Sequence, residues 1–144
     1  MDTLLEQIKS IVDHKIPLVS NLSNIAALLF QMDDINWAGF YLVEGNTLYL
    51  GPFQGEVACT TIKKGKGVCG TCLEQGKSII VPNVLEFKGH IACSSKSRSE
   101  IVVPVYKNQD IKVIIDIDAP IFDRFHNEEL IFLEEVSKII SSLI

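Results

Sequence analysis

Four cysteines, Cys59, Cys69, Cys72 and Cys93, lie in the segments VACTTI, GVCGTC and GHIACSS of a 144-residue chain. Three of them stand beside glycines or in polar loops, whereas a structural cysteine normally sits in an apolar run and behaves as a small inert hydrophobe. Cys69 falls where a glycine-rich turn opens a helix. Cys93 stands in GHIACSSKSRSE, among hydroxyls, with Lys96, Arg98 and His90 nearby. Helix N-termini and neighbouring cations favour the thiolate, the reactive form of the side chain. The spacing and company of these residues therefore predict thiol chemistry.

Other patterns admit more than one reading. Cys69-x-x-Cys72 has the spacing of a dithiol redox pair, but the surrounding elements read as antiparallel, unlike a thioredoxin βαβ unit. Val68, Cys72 and Leu73 share one side of the same helix, which favours Cys72 as core. GKGVCG at 65–70 matches G-x-G-x-x-G, yet a dinucleotide site also needs a parallel βαβ unit and an acidic residue ending the next strand. Glu86 lies in a loop, so NAD is not expected. Cys69-x-x-Cys72 with His90-x-x-Cys93 also has zinc-ligand spacing, an alternative that leaves Cys59 unexplained. Asp116 and Asp118 stand two apart on a strongly apolar strand, where carboxylates are costly unless a cation meets them. Asp118 alone would also suit a strand end. Together with Trp37 and Tyr41 the pair suggests an ammonium ligand. Glu100 opens a strand just after the Cys93 loop and is placed to give or take a proton there.

These residues need elements to position them. Leu4, Leu5, Ile8, Ile11 and Val12 keep helical spacing behind a cap at Asp2 or Thr3, and a second helix runs from Pro17 to about Met32. The period then changes: strands are predicted at 37–43 and 47–50 around an EGN turn, and at 57–62, 78–81, 100–106 and 111–118. A short helix spans 68–75, ended by Gly76, and an amphipathic helix spans 127–144. The stretch 82–99 is a long connection of the kind often used for function. About six antiparallel strands with helices at both ends make an α+β domain spanning 1–144. Alternation puts Ala38, Phe40 and Leu42 under the helices with Val113, Ile115 and Ile117. Trp37, Gly39 and Tyr41 then share the opposite face with Ile114, Asp116 and Asp118, which is the composition of a pocket.

The totals agree with one globular domain: 47% of residues are hydrophobic, and a chain this long buries roughly two thirds of its unfolded surface without disulfides. A net charge of −5 argues against nucleic acid as a partner. Apolar runs are too short to cross a membrane, and MDTLLEQIKS does not read as a secretion signal. The expectation is a cytoplasmic protein in a reducing compartment.

In order along the chain, NWAGFYL (36–42), LGPFQGEVAC (50–59), the G-x-GVCG turn (65–70), VPNV (81–84), GHIACSSKSRSEIVVP (89–104) and DIDAP (116–120) resemble the free methionine-(R)-sulfoxide reductases, single-domain proteins of the GAF fold. The resemblance implies that Cys93 is the nucleophile and passes through a sulfenic acid. It implies that Cys59 or Cys69 resolves this acid as a disulfide, which a thioredoxin-type dithiol reduces. It assigns Glu100 the role of acid or proton relay, Asp116 and Asp118 that of a clamp on the substrate ammonium, and Trp37 and Tyr41 that of the pocket wall. No cofactor and no metal are implied, and GAF domains often form a homodimer through their helices. A non-catalytic GAF sensor and a structural zinc protein are the rival readings.

Overall fold

The structure, a computed structural model, describes residues 1–89 and 96–144. Its element order is α1 (Asp2–Ile11), α2 (Leu18–Leu29), β1 (Trp37–Glu44), β2 (Thr47–Gly55), β3 (Thr61–Lys63), α3 (Gly67–Gln75), β4 (Ile79–Val81), a single 3-10 turn (Val84–Glu86), β5 (Ser99–Lys107), β6 (Asp110–Ala119) and α4 (Asn127–Leu143). The six strands form one antiparallel sheet in the order β3-β2-β1-β6-β5-β4. The α+β class, the strand number and the placing of the terminal helices follow the sequence reading. Among the described residues no helix is long and apolar enough to cross a membrane.

Alternation divides the sheet into two chemically distinct faces. Ala38 and Phe40 of β1, Ile101, Val103 and Val105 of β5, and Val113, Ile115 and Ile117 of β6 pack beneath α1, α2 and α4. α4 offers Phe132, Leu133, Val136 and Ile140, spaced as one helical stripe, and α2 offers Leu22, Ile25, Ala26 and Leu29. On the other face Trp37, Tyr41, Ile114 and Val102 form a smaller cluster with Val68, Cys69 and Cys72 of α3. Buried Asn21 clamps the α1–α2 connection, accepting from the Asp13 N–H at 2.9 Å and donating to the Asp13 carbonyl at 2.8 Å.

Several boundaries differ from the sequence reading, and each has a physical cause. Met1 rather than Asp2 or Thr3 caps α1, so Asp2 lies inside the first turn against the positive helix end, and Ile11 is left exposed at the last turn. α2 stops at Leu29, short of Met32. β2 extends beyond Leu50 to Gly55, while the next strand starts at Thr61 rather than Val57. Val57 is 86% exposed. The chain leaves the ladder here because aromatic side chains take its carbonyls: Trp37 Nε1 donates to Glu56 O at 3.0 Å, and the Tyr41 hydroxyl to Cys59 O at 2.9 Å. Residues 56–60 thereby fold over the polar face of the sheet as a rim.

One close approach holds the aromatic wall. A Cβ added at Gly39 would come within 2.3 Å of the Phe53 Cβ, and Phe53 in turn stacks on Trp37 with centroids 5.2 Å apart and planes 15° from parallel. Gly39→Ala is therefore expected to lower stability by about 1–3 kcal/mol through overpacking, with altered tryptophan fluorescence. Chemical denaturation read on Trp37 tests this, and an unchanged midpoint and spectrum would refute the contact.

Candidate active site

Strand register builds the site. β1 and β6 pair Trp37 with Asp118 and Gly39 with Asp116, while β5 and β6 pair Glu100 with Asp118 and Val102 with Asp116. Residues directly opposite on neighbouring strands point to the same face. Trp37, Asp118 and Glu100 thus form one row across three strands, with Asp116 in the next and Tyr41 beyond it. Above the row sits α3, whose Cys69 sulfur lies within 4.8 Å of carboxylate oxygens of Asp116 and Glu100. α3 can come this close because Gly70 carries no side chain: a Cβ there would lie 2.4 Å from the Lys63 carbonyl.

The space between them is a half-open cavity of about 50 Å³, lined by Trp37, Tyr41, Cys69, Glu100, Asp116 and Asp118 below and by Val57 and Ala58 of the rim. That is room for a few waters. Trp37 and Tyr41 stack along one wall, 6.2 Å between centroids. Glu100 and Asp116 are 7% and 6% exposed. Ser97, itself buried, donates to Asp118 Oδ2 at 2.9 Å and accepts from Asn36 Nδ2 at 3.2 Å. Among the described residues no hydrogen-bond partner reaches the buried Oδ1 of Asp116 or of Asp118. Two carboxylate oxygens therefore meet the cavity with their acceptor capacity unused.

Burial governs the protonation of these groups. It pushes Glu100 well above the usual carboxylate range, and the neighbouring charges of Asp116 and Asp118 push it further. Asp118 is likewise raised by burial and then by Asp116, with the Ser97 hydrogen bond acting in the other direction. Asp116 is raised by burial, against which hydrogen bonds from Glu100, Cys69 and Asp118 favour its ionised form. Burial and the neighbouring acids thus favour the protonated form of Glu100, and the aspartates beside it compete for the same proton. Tyr41 is raised by burial and by Asp116 and stays a neutral hydroxyl.

The cysteines separate by environment. Cys69 is the third residue of α3 and is buried, and burial followed by the Asp116 and Glu100 charges raises its pKa well above the usual value. The helix N-terminus that made it a thiolate candidate is overridden, because desolvation and three carboxyl groups outweigh the partial charge of a helix dipole. Cys72 is fully buried and pushed up to about 12 by burial and Asp116, an inert core thiol as its helical spacing suggested. Cys69 and Cys72 are free thiols, whereas Cys59 is disulfide-bonded. Cys93 and His90 lie outside the described residues. Lys96 pairs with Glu56, Nζ to Oε1 at 2.6 Å, which raises the lysine's pKa.

A matching family model covers residues 17–144 and describes them as a GAF domain. The free methionine-R-sulfoxide reductase of Saccharomyces cerevisiae is 43% identical, with 98% of this chain and 83% of the yeast protein covered. The chain belongs to the free methionine-(R)-sulfoxide reductase family. Solved relatives superpose closely. The reduced fRMsr of Staphylococcus aureus is 48% identical with a TM-score of 0.94, covering 99% of this chain and 93% of that one. The enzyme of Neisseria meningitidis, solved in complex with its substrate, is 40% identical at TM-score 0.94, covering 97% and 85%.

The structure brings Trp37, Tyr41, Cys69, Glu100, Asp116 and Asp118 to one cavity. Sequence reasoning missed Ser97 and Asn36, which orient Asp118; nothing in a Ser-rich loop distinguishes one serine that turns inward. It also missed Phe53, whose role depends on the empty position at Gly39.

Raised carboxyl pKa values set the sign of a stability test. Below the unfolded pKa both states hold the Glu100 proton; above it the unfolded chain releases the proton and the folded one retains it, so stability falls as pH rises. Glu100→Gln removes this burden and is expected to stabilise the substrate-free protein by about 1–3 kcal/mol near pH 7. The gain should vanish near pH 4. Melting across pH 4–8 checks this, and a pH-independent difference between the two proteins would contradict a protonated Glu100.

Proposed function

We propose that the chain reduces free methionine-(R)-sulfoxide to methionine by thiol–disulfide chemistry. The observation that carries this reading is the pair of buried aspartate oxygens with no hydrogen-bond partner among the described residues, set beside Glu100, whose burial favours the protonated form, under a Trp37–Tyr41 wall. Asp116 and Asp118 clamp the substrate ammonium, and the aromatic rings enclose the thioether end. An N-acylated or peptide-bound substrate offers an uncharged amide instead and leaves the carboxylates uncompensated. The names of the yeast relative and the substrate complex of the Neisseria enzyme support the same reading.

The reaction balances as a two-electron exchange. The Cys93 thiolate attacks the sulfoxide sulfur, Glu100 protonates the sulfoxide oxygen, methionine departs, and Cys93 is left as a sulfenic acid. Cys59 then attacks the sulfenic sulfur, water leaves, and a disulfide forms. A thioredoxin-type dithiol takes up that disulfide and becomes oxidised in turn. Cys59 is preferred to Cys69 as the resolving thiol because Cys59 is the one held in a disulfide while Cys69 remains a free, hard-to-ionise thiol. A dithiol reductant of this kind belongs to a reducing compartment, so a cytoplasmic setting is part of the proposal.

NADPH consumption in a thioredoxin-coupled assay tests the activity, with the free R epimer, the S epimer and the N-acetyl derivative as parallel substrates. Only the free R compound is expected to turn over. Rapid use of the acetylated compound would discard the ammonium clamp. Cys93→Ser should abolish turnover, and Asp116→Asn combined with Asp118→Asn should raise KM by more than about tenfold, since each lost charge-assisted bond is worth about 1.5–3 kcal/mol. Cys59→Ser should release about one methionine per chain and stop; Cys69→Ser should continue past the first turnover. Arrest of Cys69→Ser after one equivalent would transfer the resolving role to Cys69.

A further inference from the structure

The acidic floor of the cavity has a thiol within reach, and that combination has a chemistry apart from the amino-acid clamp. The Cys69 sulfur and one carboxylate oxygen each of Glu100 and Asp116 all lie within 4.8 Å of one another. All three residues are buried. Asp116 is 6% exposed and its Oδ1 has no hydrogen-bond partner among the described residues. They come from three separate elements, α3, β5 and β6, which the sheet register and the Gly70 approach hold together.

We propose that Cys69, Glu100 and Asp116 form a zinc-binding site whose occupancy excludes the amino-acid substrate. Tetrahedral zinc with one sulfur and two oxygen ligands places those ligands about 3.4–3.8 Å apart. The widest pair therefore closes from at most 4.8 Å by about 1 Å, within the reach of side-chain torsions. The adjoining cavity supplies the fourth position for a water. A thiolate with two carboxylates selects zinc over magnesium or calcium, which take oxygen ligands in larger numbers. The zinc spacing noted in the sequence paired Cys69 with Cys72, His90 and Cys93; the cluster found here shares only Cys69 with that set, and Cys72 is not part of it. Zinc here occupies the carboxylate that the proposed ammonium clamp uses, so a rise in free zinc would reversibly silence the site.

The test is calorimetric titration of the intact chain with zinc chloride, without reductant, so that Cys59 stays in its disulfide and Cys69 remains available. One zinc per chain is expected. Cys69→Ser, Asp116→Asn and Glu100→Gln should each weaken binding by more than about tenfold, while Cys72→Ala should leave it within about twofold. Cobalt substituted for zinc should show a thiolate-to-metal absorption band that disappears in Cys69→Ser, and melting curves of each variant check that it is folded. Absence of stoichiometric binding, or equal affinity in folded Cys69→Ser and Asp116→Asn, would overturn the site. Free methionine-(R)-sulfoxide should lower the apparent zinc affinity. Zinc binding with no such competition would overturn the exclusion of substrate and count against the ammonium clamp, while the metal ligands themselves stood, so the two failures are told apart.

Discussion

Three carboxyl groups, Glu100 and Asp116 buried and Asp118 half-buried, stand side by side on one face of a β-sheet, and the rest of the site is arranged around that fact. An isolated carboxylate taken out of water is heavily penalised, and a second one beside it adds repulsion. The protein offsets this in three ways. Burial favours the protonated form of Glu100, Ser97 (itself accepting from Asn36) donates a hydrogen bond to Asp118, and the remaining acceptor capacity faces the cavity. Asp116 Oδ1 and Asp118 Oδ1 are the oxygens left without a hydrogen-bond partner among the described residues.

Such a floor stays in place because the same strands are anchored from behind. Val113, Ile115 and Ile117 alternate with Ile114, Asp116 and Asp118, and their side chains lie in the apolar layer beneath the helices. A slip of one residue in β6 would put both aspartates into that layer and three aliphatic side chains into the cavity. The hydrophobic face thus sets the register, and the register sets the row of Trp37, Asp118 and Glu100. The geometry of the cavity floor is a by-product of core packing on the other side of the sheet.

The cysteines show how one residue type takes different properties from its surroundings. Cys72 serves packing. Cys69 is held as a thiol by burial and by the acids it faces, with carboxylate oxygens of Glu100 and Asp116 within 4.8 Å. Cys59 sits at the rim, its carbonyl held by Tyr41 and its sulfur in a disulfide. Local sequence placed Cys69 correctly at a helix start, but the sign of its pKa shift came from burial and then from Asp116 and Glu100, far along the chain.

The sequence by itself determined the α+β class, the two faces of β1 and β6, the gathering of Trp37, Tyr41, Asp116 and Asp118 on one side, and Cys72 as core. These depend on short periods of two or about 3.6 residues, which any window of the chain displays. Boundaries were less legible where a side chain outcompeted the ladder, as at residues 57–60, because Trp37 and Tyr41 lie 19 and 18 positions from the carbonyls they bind. Only the tertiary structure decided that Glu100 stands opposite Asp118, that Ser97 turns inward, and that Cys69 is a protonated thiol rather than a thiolate. Each of these rests on register and on burial beside charges distant in sequence, and electrostatics between such groups depends on distances that spacing along the chain does not encode.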